Sequence, residues 1–394
     1  MKRNNSFYIK NIAGKKYIVP YAQMLADMFS GVKINETGEY IWNLLEKDKE
    51  KDELIEKCCE YYETSGDECE TVKKDVSEFI KMLFSYGMII NGKMFSEKND
   101  LIKRISIAGI KIGLYGDGEC LRDDFDAFEI KRSDDENKAD CGGDDLRIEI
   151  LHSLSPVYEN GREIIRNAVV DTVECEDRYV LTFSESDEII ECQINKEGTL
   201  AKIYTQSNLS DEGKEILFHA IRHVFLYRAL MEGIPAVHSV SILYNNKAWL
   251  FSASSGTGKS THAELWKKLY ATEFINGDLN LIGCSNNKAY IYGLPWCGTS
   301  GICNTGKYEI GGIFLLRRSE RNYVEELSED EKRLLVQQRI VSPSWNTDLV
   351  DRQFETVDAV CDKIMTARLY CTKDDEAAKV LKEYIDTKSQ TEAV

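Results

Sequence analysis

The stretch "KAWLFSASSGTGKSTHAELWKKLY", residues 247–270, constrains the fold more than any other part of the chain. "KAWLFSA" reads as an apolar strand and "HAELWKKLY" as a helix, with "SSGTGKST" between them. In that order, backbone N–H groups and a helix N-terminus converge on one point, which is how a chain holds the phosphates of a nucleotide. Gly256 and Gly258 would let the backbone curl close to the anion, Lys259 would bring a mobile point charge, and the Ser260 hydroxyl suits Mg²⁺. The phosphate-binding set is therefore Ser255, Gly256, Thr257, Gly258, Lys259, Ser260 and Thr261. One position departs from the GxxxxGK[ST] pattern, because Ala253 stands where glycine is asked for. An alanine there is acceptable at the end of a strand with negative φ, whereas positive φ would cost on the order of 1 kcal/mol. The plain alternative is a glycine-serine turn that holds nothing.

The flanking segments supply candidate partners. "HSVSILY" reads as a strand that returns through an Asn245-Asn246 turn, and "ATEFINGDLNLI" as a strand leading to Asp278. An aspartate there would hold Mg²⁺ or accept the proton of an attacking hydroxyl; it is also a common turn residue. Downstream, "GLPWCGTSGICNTGKYEIGGIFLLRRSE" offers glycine-rich turns, a buried "IFLL" strand, and Lys307, Arg317 and Arg318 as cations for a transferred phosphoryl group or for ordinary surface pairs. Cys297 lacks the histidine context of a nucleophile.

Composition narrows the function classes. The 394 residues suffice for two or three domains, and a formal charge of −17 argues against nucleic acid or anionic membranes as partners. No apolar run approaches the ~20 residues of a membrane span, and "MKRNNSFYIK" has no signal-peptide core behind it. The 12 cysteines are scattered without a CxxC, which predicts reduced thiols in a cytoplasmic protein. "SDDENKADCGGDD" lacks the order of a calcium loop and reads as a solvated acidic segment. His219 and His223 stand four apart on a predicted helix capped by Ser210, but without the HExxH glutamate they read as packing histidines.

The first ninety or so residues form their own unit. "FYIKNIAGKKYIVP" predicts two strands around Gly14, followed by a helix capped by Asn35 with a Thr37, Ile41, Leu44 and Leu45 stripe. A second helix has Leu54, Ile55, Cys58, Cys59 and Tyr62 on one face, and a third carries Val72, Val76, Phe79, Ile80, Leu83 and Phe84 before Gly87 stops it. A hairpin at Asn91-Gly92 would complete a winged helix. "KINETGEYIWNLLEK", with a charged helix, an aspartate-bearing third helix and "YGMI" after it, resembles the PqqD-like domain of ribosomal peptide modification. Asn35, Glu36 and Thr37 behind Ile34 match that family's opening trio, over residues 5–95. The resemblance implies a leader peptide bound as an added strand.

A second resemblance rests on spacing. His238 precedes Lys259 by 21 positions, as a histidine does in the HPr kinase/phosphorylase family, while Asp278 follows Lys259 by 19. The family's acidic pair would fall on Asn276 and Gly277, so a single carboxylate, displaced by one residue, remains. The likeness spans residues 101–385, is strongest over 237–281, and is nearest to the HPr-kinase-like proteins found with ribosomal peptide clusters. It implies ATP and Mg²⁺ as cofactors, Asp278, His238 and Lys259 as catalytic residues, Ser260 and Asp278 at the metal, and assembly into homo-oligomers.

The expected fold class is mixed, α+β and α/β: a winged-helix domain over residues 1–97, then a P-loop, HPr-kinase-like (PEP-carboxykinase-like) domain over 98–394. Its β-rich portion would cover 98–232 and its catalytic core 233–394. The function expected is phosphorylation of a Ser or Thr hydroxyl on a precursor peptide held by its leader. Rival readings are a kinase for a small hydroxylated metabolite or a carrier protein, and a non-catalytic, nucleotide-switched peptide chaperone.

Overall fold

The computed structural model describes residues 1–21, 31–47, 49–64, 66–86, 88–90, 100–116, 118–130, 143–152, 161–184, 188–206, 208–254, 256–298 and 301–391. Gly87, the Asn91-Gly92 turn, residues 134–142 of the acidic segment and Ser255 lie outside them. The chain is a mixed α/β structure of two compact units interleaved in sequence. One comprises residues 1–100, 115–120 and 148–217, the other 101–114, 121–147 and 218–394.

In the first unit, strands β1 (Lys2–Arg3), β2 (Phe7–Ile12), β3 (Lys15–Pro20) and β4 (Val32–Ile34) precede helices α1 (Glu36–Leu44), α2 (Lys51–Tyr61) and α3 (Asp67–Ser85), then β5 (Ile89–Ile90). β2, β3 and β4 form an antiparallel sheet, turned at Ala13-Gly14 with both residues at positive φ; β1 pairs with β5. Asn35 caps α1, its side chain accepting from Gly38 N–H at 2.8 Å. Ile18, Ile41, Trp42, Leu45, Leu54, Cys58, Val76, Ile80 and Leu83 make one buried core. Trp42 lies outside the expected stripe yet is 2% exposed, while Tyr62 is 41% exposed with its hydroxyl 2.6 Å from Thr37 Oγ1. The expectation of uniformly reduced cysteines is corrected here. Packing of α2 on α3 brings the Cα atoms of Cys59 and Cys69 to 5.9 Å, within bonding range, and the two are joined as a disulfide.

β6 (Leu101–Ile107) and β7 (Ile110–Tyr115) pair through a two-residue turn. The strands β8 (Leu146–His152), β9 (Arg162–Ile165), β10 (Val170–Glu174), β11 (Arg178–Phe183), β12 (Ile189–Asn195) and β13 (Leu200–Thr205) run in the order β8-β13-β12-β11-β10-β9. Helix α4 (Asp211–Met231) follows, with Ser210 Oγ accepting from Gly213 N–H at 3.1 Å.

The second unit is built on β14 (Ala236–Tyr244), β15 (Lys247–Ser252), α5 (Lys259–Tyr270), β16 (Glu273–Asn276), β17 (Leu279–Ser285), β18 (Lys288–Tyr292), β19 (Lys307–Arg318), β20 (Tyr323–Glu326), α6 (Glu329–Gln337), α7 (Thr347–Cys361), β21 (Met365–Cys371) and α8 (Asp375–Thr391). The sheet order is β15-β14-β17-β18-β19-β21-β20, and β15 also pairs with β19, so the path from β15 round to β19 closes on itself. β15, β19 and β21 are parallel. Both faces are covered, as the alternation along β15 requires. Trp249 and Phe251 pack with Trp266, Phe314 and Leu381 on one side, Ala248 and Leu250 with Ile313, Val336 and Val357 on the other. Gly311 has to lack a side chain, because a Cβ there would stand 2.5 Å from the Trp249 ring.

Among the described residues, no helix is long and apolar enough to cross a membrane. Replacing the cap, Asn35→Ala, is expected to destabilise α1 by about 1 kcal/mol. Hydrogen exchange at the Gly38 amide should then speed up several-fold; unchanged protection would show that the cap carries no such energy.

Candidate active site

The loop begins where β15 ends. Ser252, fully buried, donates through Oγ to the carbonyl of His238 on β14 at 2.7 Å, which ties the loop's entry to the neighbouring strand. Ala253 follows, 2% exposed in the apolar core and absent from the residues with positive φ, so the missing glycine costs nothing. The turn falls on Gly256 (φ +72°) and Gly258 (φ +119°), a region where an L-residue is strained. α5 starts at Lys259, and its first turn carries Ser260 and Thr261. Thr257 N–H donates to Ser254 O at 3.2 Å inside the loop. Arg318, at the end of β19, donates to the carbonyls of Gly256 and of Thr257, the latter at 3.3 Å.

Asp278 sits in the turn between β16 and β17. Pairing of β14 with β17 sets His238 opposite Leu279, and Ser239 N–H donates to Asp278 O at 2.9 Å. His238 Nε2 consequently lies 3.2 Å from Asp278 Oδ1. Gly277 N–H bonds to Ile302 O at 3.2 Å, and Gly298 packs so closely that a Cβ there would come within 2.9 Å of Asp278 Cβ. Beneath the turn lies a buried polar network. Asn280 donates to Ser239 O at 2.7 Å and accepts from Ser241 Oγ at 2.7 Å, and Asn276 donates to Asn280 Oδ1 at 3.0 Å and to Tyr292 O at 3.1 Å. Asn276, which stands at one of the two positions of the family's acidic pair, thus serves to brace the turn.

Three side chains act on the Asp278 carboxyl. The hydrogen bond from His238 holds the Asp278 carboxyl below the usual carboxylate range; burial opposes this, and the charges of Lys259 and Arg222 reinforce it. Burial lowers the Lys259 ammonium, opposed by Asp278 and assisted by Arg339. Burial likewise lowers Arg222, against the attraction of Asp278. Arg222 lies between His219 and His223 on α4, and nothing in the local spacing marks it. Burial, with Arg222 and His219 adding to it, pushes His223 down to about 4. Among the described residues, no group of three or more His, Cys, Asp or Glu stands together as a metal site would require.

Of the other expected cations, Lys307 lies 4.0 Å from the centre of the Tyr290 ring and Arg317 stands 5.7 Å from that of Tyr370. Of these three cations, Arg318 is the one that hydrogen-bonds to the loop among the described residues. For Mg²⁺ the available donors are the exposed Ser260 hydroxyl and the ionised Asp278 carboxylate. Two hard oxygens fit an ion that keeps several of its own waters.

Residues 27–89 match the family model described as Coenzyme PQQ synthesis protein D (PqqD), so the chain carries a PqqD-like domain there. A comparison with curated proteins found no match. Among solved structures, the Hpr(Ser) kinase/phosphatase from Coxiella burnetii aligns over 39% of this chain and 98% of that one, at 9% identity and a TM-score of 0.22. A TM-score that low does not establish a shared fold.

The geometry makes Asp278 depend on His238. With its carboxyl held low in the folded protein, the pair stabilises the native state above the ordinary aspartate pKa, and that stability is lost as pH falls through the lowered value. In His238→Ala, a carbon-detected NMR titration should find the Asp278 carboxyl shifted up toward its ordinary value. An unmoved titration would mean that the contact carries no electrostatic weight.

Proposed function

We propose that this protein is an ATP- and Mg²⁺-dependent kinase that phosphorylates a Ser or Thr hydroxyl of a ribosomally synthesised precursor peptide, with the leader of that peptide held by the PqqD-like domain. The observation that carries the reading is the placement of Asp278, bonded to His238 and in the field of Lys259, beside a glycine loop that runs into a helix N-terminus.

Each residue has a role in this reading. The N–H groups of the loop and of the first turn of α5 cradle the phosphates, and Lys259 sits at the terminal ones. Ser260 and Asp278 would hold Mg²⁺, which supplies charge neutralisation when bound. Asp278 orients the acceptor hydroxyl. The hydroxyl oxygen attacks the terminal phosphorus, the bond from that phosphorus to the bridging oxygen breaks, and the electron pair leaves with ADP. The hydroxyl proton passes to Asp278 and on to water, while His238, donating through Nε2, keeps the carboxylate in place. A carboxylate held low is a weak base, so it takes the proton late, which suits a loose transition state in which positioning dominates.

A leader held on the same chain raises the effective concentration of the acceptor to the order of millimolar and relaxes what the pocket must recognise. Transfer of label from γ-labelled ATP to peptides carrying a leader, but not to the bare cores, is the expected result. Label on small hydroxylated metabolites instead, or nucleotide binding with no transfer to any acceptor, would overturn the reading.

A further inference from the structure

Two cysteines reach the Asp278 turn through their neighbours in sequence. Cys297 precedes Gly298, whose backbone at φ +60° lies so close to the turn that a Cβ there would stand 2.9 Å from Asp278 Cβ. Cys303 follows Ile302, whose carbonyl accepts from Gly277 N–H at 3.2 Å, one residue before Asp278. The two thiols themselves meet, since a hydrogen bond links Cys297 to Cys303. Each is anchored on its far side. Trp296 donates through Nε1 to Phe218 O at 2.9 Å and stacks on Phe225 with 5.3 Å between ring centres. Asn304 holds its carbonyl against Gly293, where a Cβ would come within 1.5 Å, and its side chain accepts from Gly306 N–H at 2.8 Å. With the outer neighbours fixed, a movement of either sulfur is passed to Gly298 and Ile302, and so to the turn.

The two thiols differ in what they meet. Cys303 is exposed to solvent, whereas Cys297 is 8% exposed. Burial, with the charge and the hydrogen bond of Cys303 adding to it, pushes the Cys297 thiol up to about 11, so it stays protonated and inert toward reagents outside. A reachable thiol beside a sheltered second one is the arrangement of a sensing and a resolving cysteine.

We propose that Cys303 and Cys297 form a reversible dithiol switch that closes down the candidate active site when a peroxide is present. The inference concerns the regulation of that site and rests on the reading of Asp278 as the residue that orients the acceptor. With hydrogen peroxide, the Cys303 sulfur attacks one oxygen, the O–O bond breaks, and water leaves to give a sulfenic acid. The Cys297 sulfur then attacks the Cys303 sulfur, the S–S bond forms, and the hydroxyl departs with the Cys297 proton as a second water. Two thiols and one peroxide thus become one disulfide and two waters. The bond brings the sulfurs to about 2.05 Å and draws Gly298 and Ile302 with them. Because Gly298 already packs against Asp278, the turn has to shift, and the carboxylate leaves its place 3.2 Å from His238 Nε2.

The full chain, reduced with dithiothreitol and then treated with hydrogen peroxide, tests this. Peptide mapping by mass spectrometry without reduction should find Cys297 joined to Cys303. Single-turnover transfer to a leader-bearing peptide should fall about tenfold or more, as a misplaced catalytic group requires, and dithiothreitol should restore both. Cys303→Ser should keep its reduced-state rate under peroxide, which separates this bond from the one between Cys59 and Cys69. Absence of the Cys297–Cys303 bond, a bond with transfer unchanged, or equal inhibition of Cys303→Ser would overturn the inference while leaving the reading of the site intact. If the reduced protein transfers nothing, that reading fails, and the Asp278 carboxyl titration decides the switch separately. Locking should move it up toward the ordinary aspartate value, and an unmoved titration overturns the switch as well.

Discussion

Strand β14 is paired on one side with β15, which delivers the loop, and on the other with β17, which follows Asp278. His238 lies at the point where the two pairings meet, its carbonyl taken by Ser252 and its ring by Asp278. The loop and the carboxylate, 19 residues apart from lysine to aspartate, are thereby held in fixed relation by backbone pairing. Rigid strands position such groups better than loops do, and here the glycine turn and the Asp278 turn both spring from paired strands. The Ser239, Ser241, Asn276 and Asn280 network supports the same junction from below. As a buried polar cluster it specifies one register, because a slip would strand its donors.

Local signals in the sequence were legible wherever a residue answers to its immediate neighbours. Asn245 and Asn246 turn β14 into β15 at positive φ, Gly256 and Gly258 carry the loop, and Asn35 caps α1. The mixed α/β class follows from the same patterns. What escaped depends on residues far apart in the chain. Arg222 and Arg339 take their meaning from Asp278 and from the loop, 56 and more positions away, and no spacing rule connects them. Cys59 and Cys69 lie on different helices whose packing the pattern alone does not specify. Tyr62 stands just past the end of α2, where its ring reaches the surface while its hydroxyl bonds to Thr37.

The electrostatics of the proposed site are lopsided in a way that fits phosphate chemistry. One ionised carboxylate stands among Lys259, Arg222 and His238, with Arg318 and Arg339 close by at the loop. Cations in excess at one point of an acidic chain favour an incoming polyanion and, once it is bound, a transition state whose charge spreads over the phosphoryl oxygens. The His238 hydrogen bond, reinforced by the charges of Lys259 and Arg222, holds the Asp278 carboxyl below the usual carboxylate range.

Single-turnover kinetics test whether Asp278 orients the acceptor hydroxyl in phosphoryl transfer. With ATP and a leader-bearing peptide both saturating, mass spectrometry would follow the appearance of one phosphate on the peptide for the native protein and for Asp278→Asn. The account predicts a rate lower by on the order of 10²-fold or more in the variant, with nucleotide still bound. Transfer at the native rate by Asp278→Asn would contradict it.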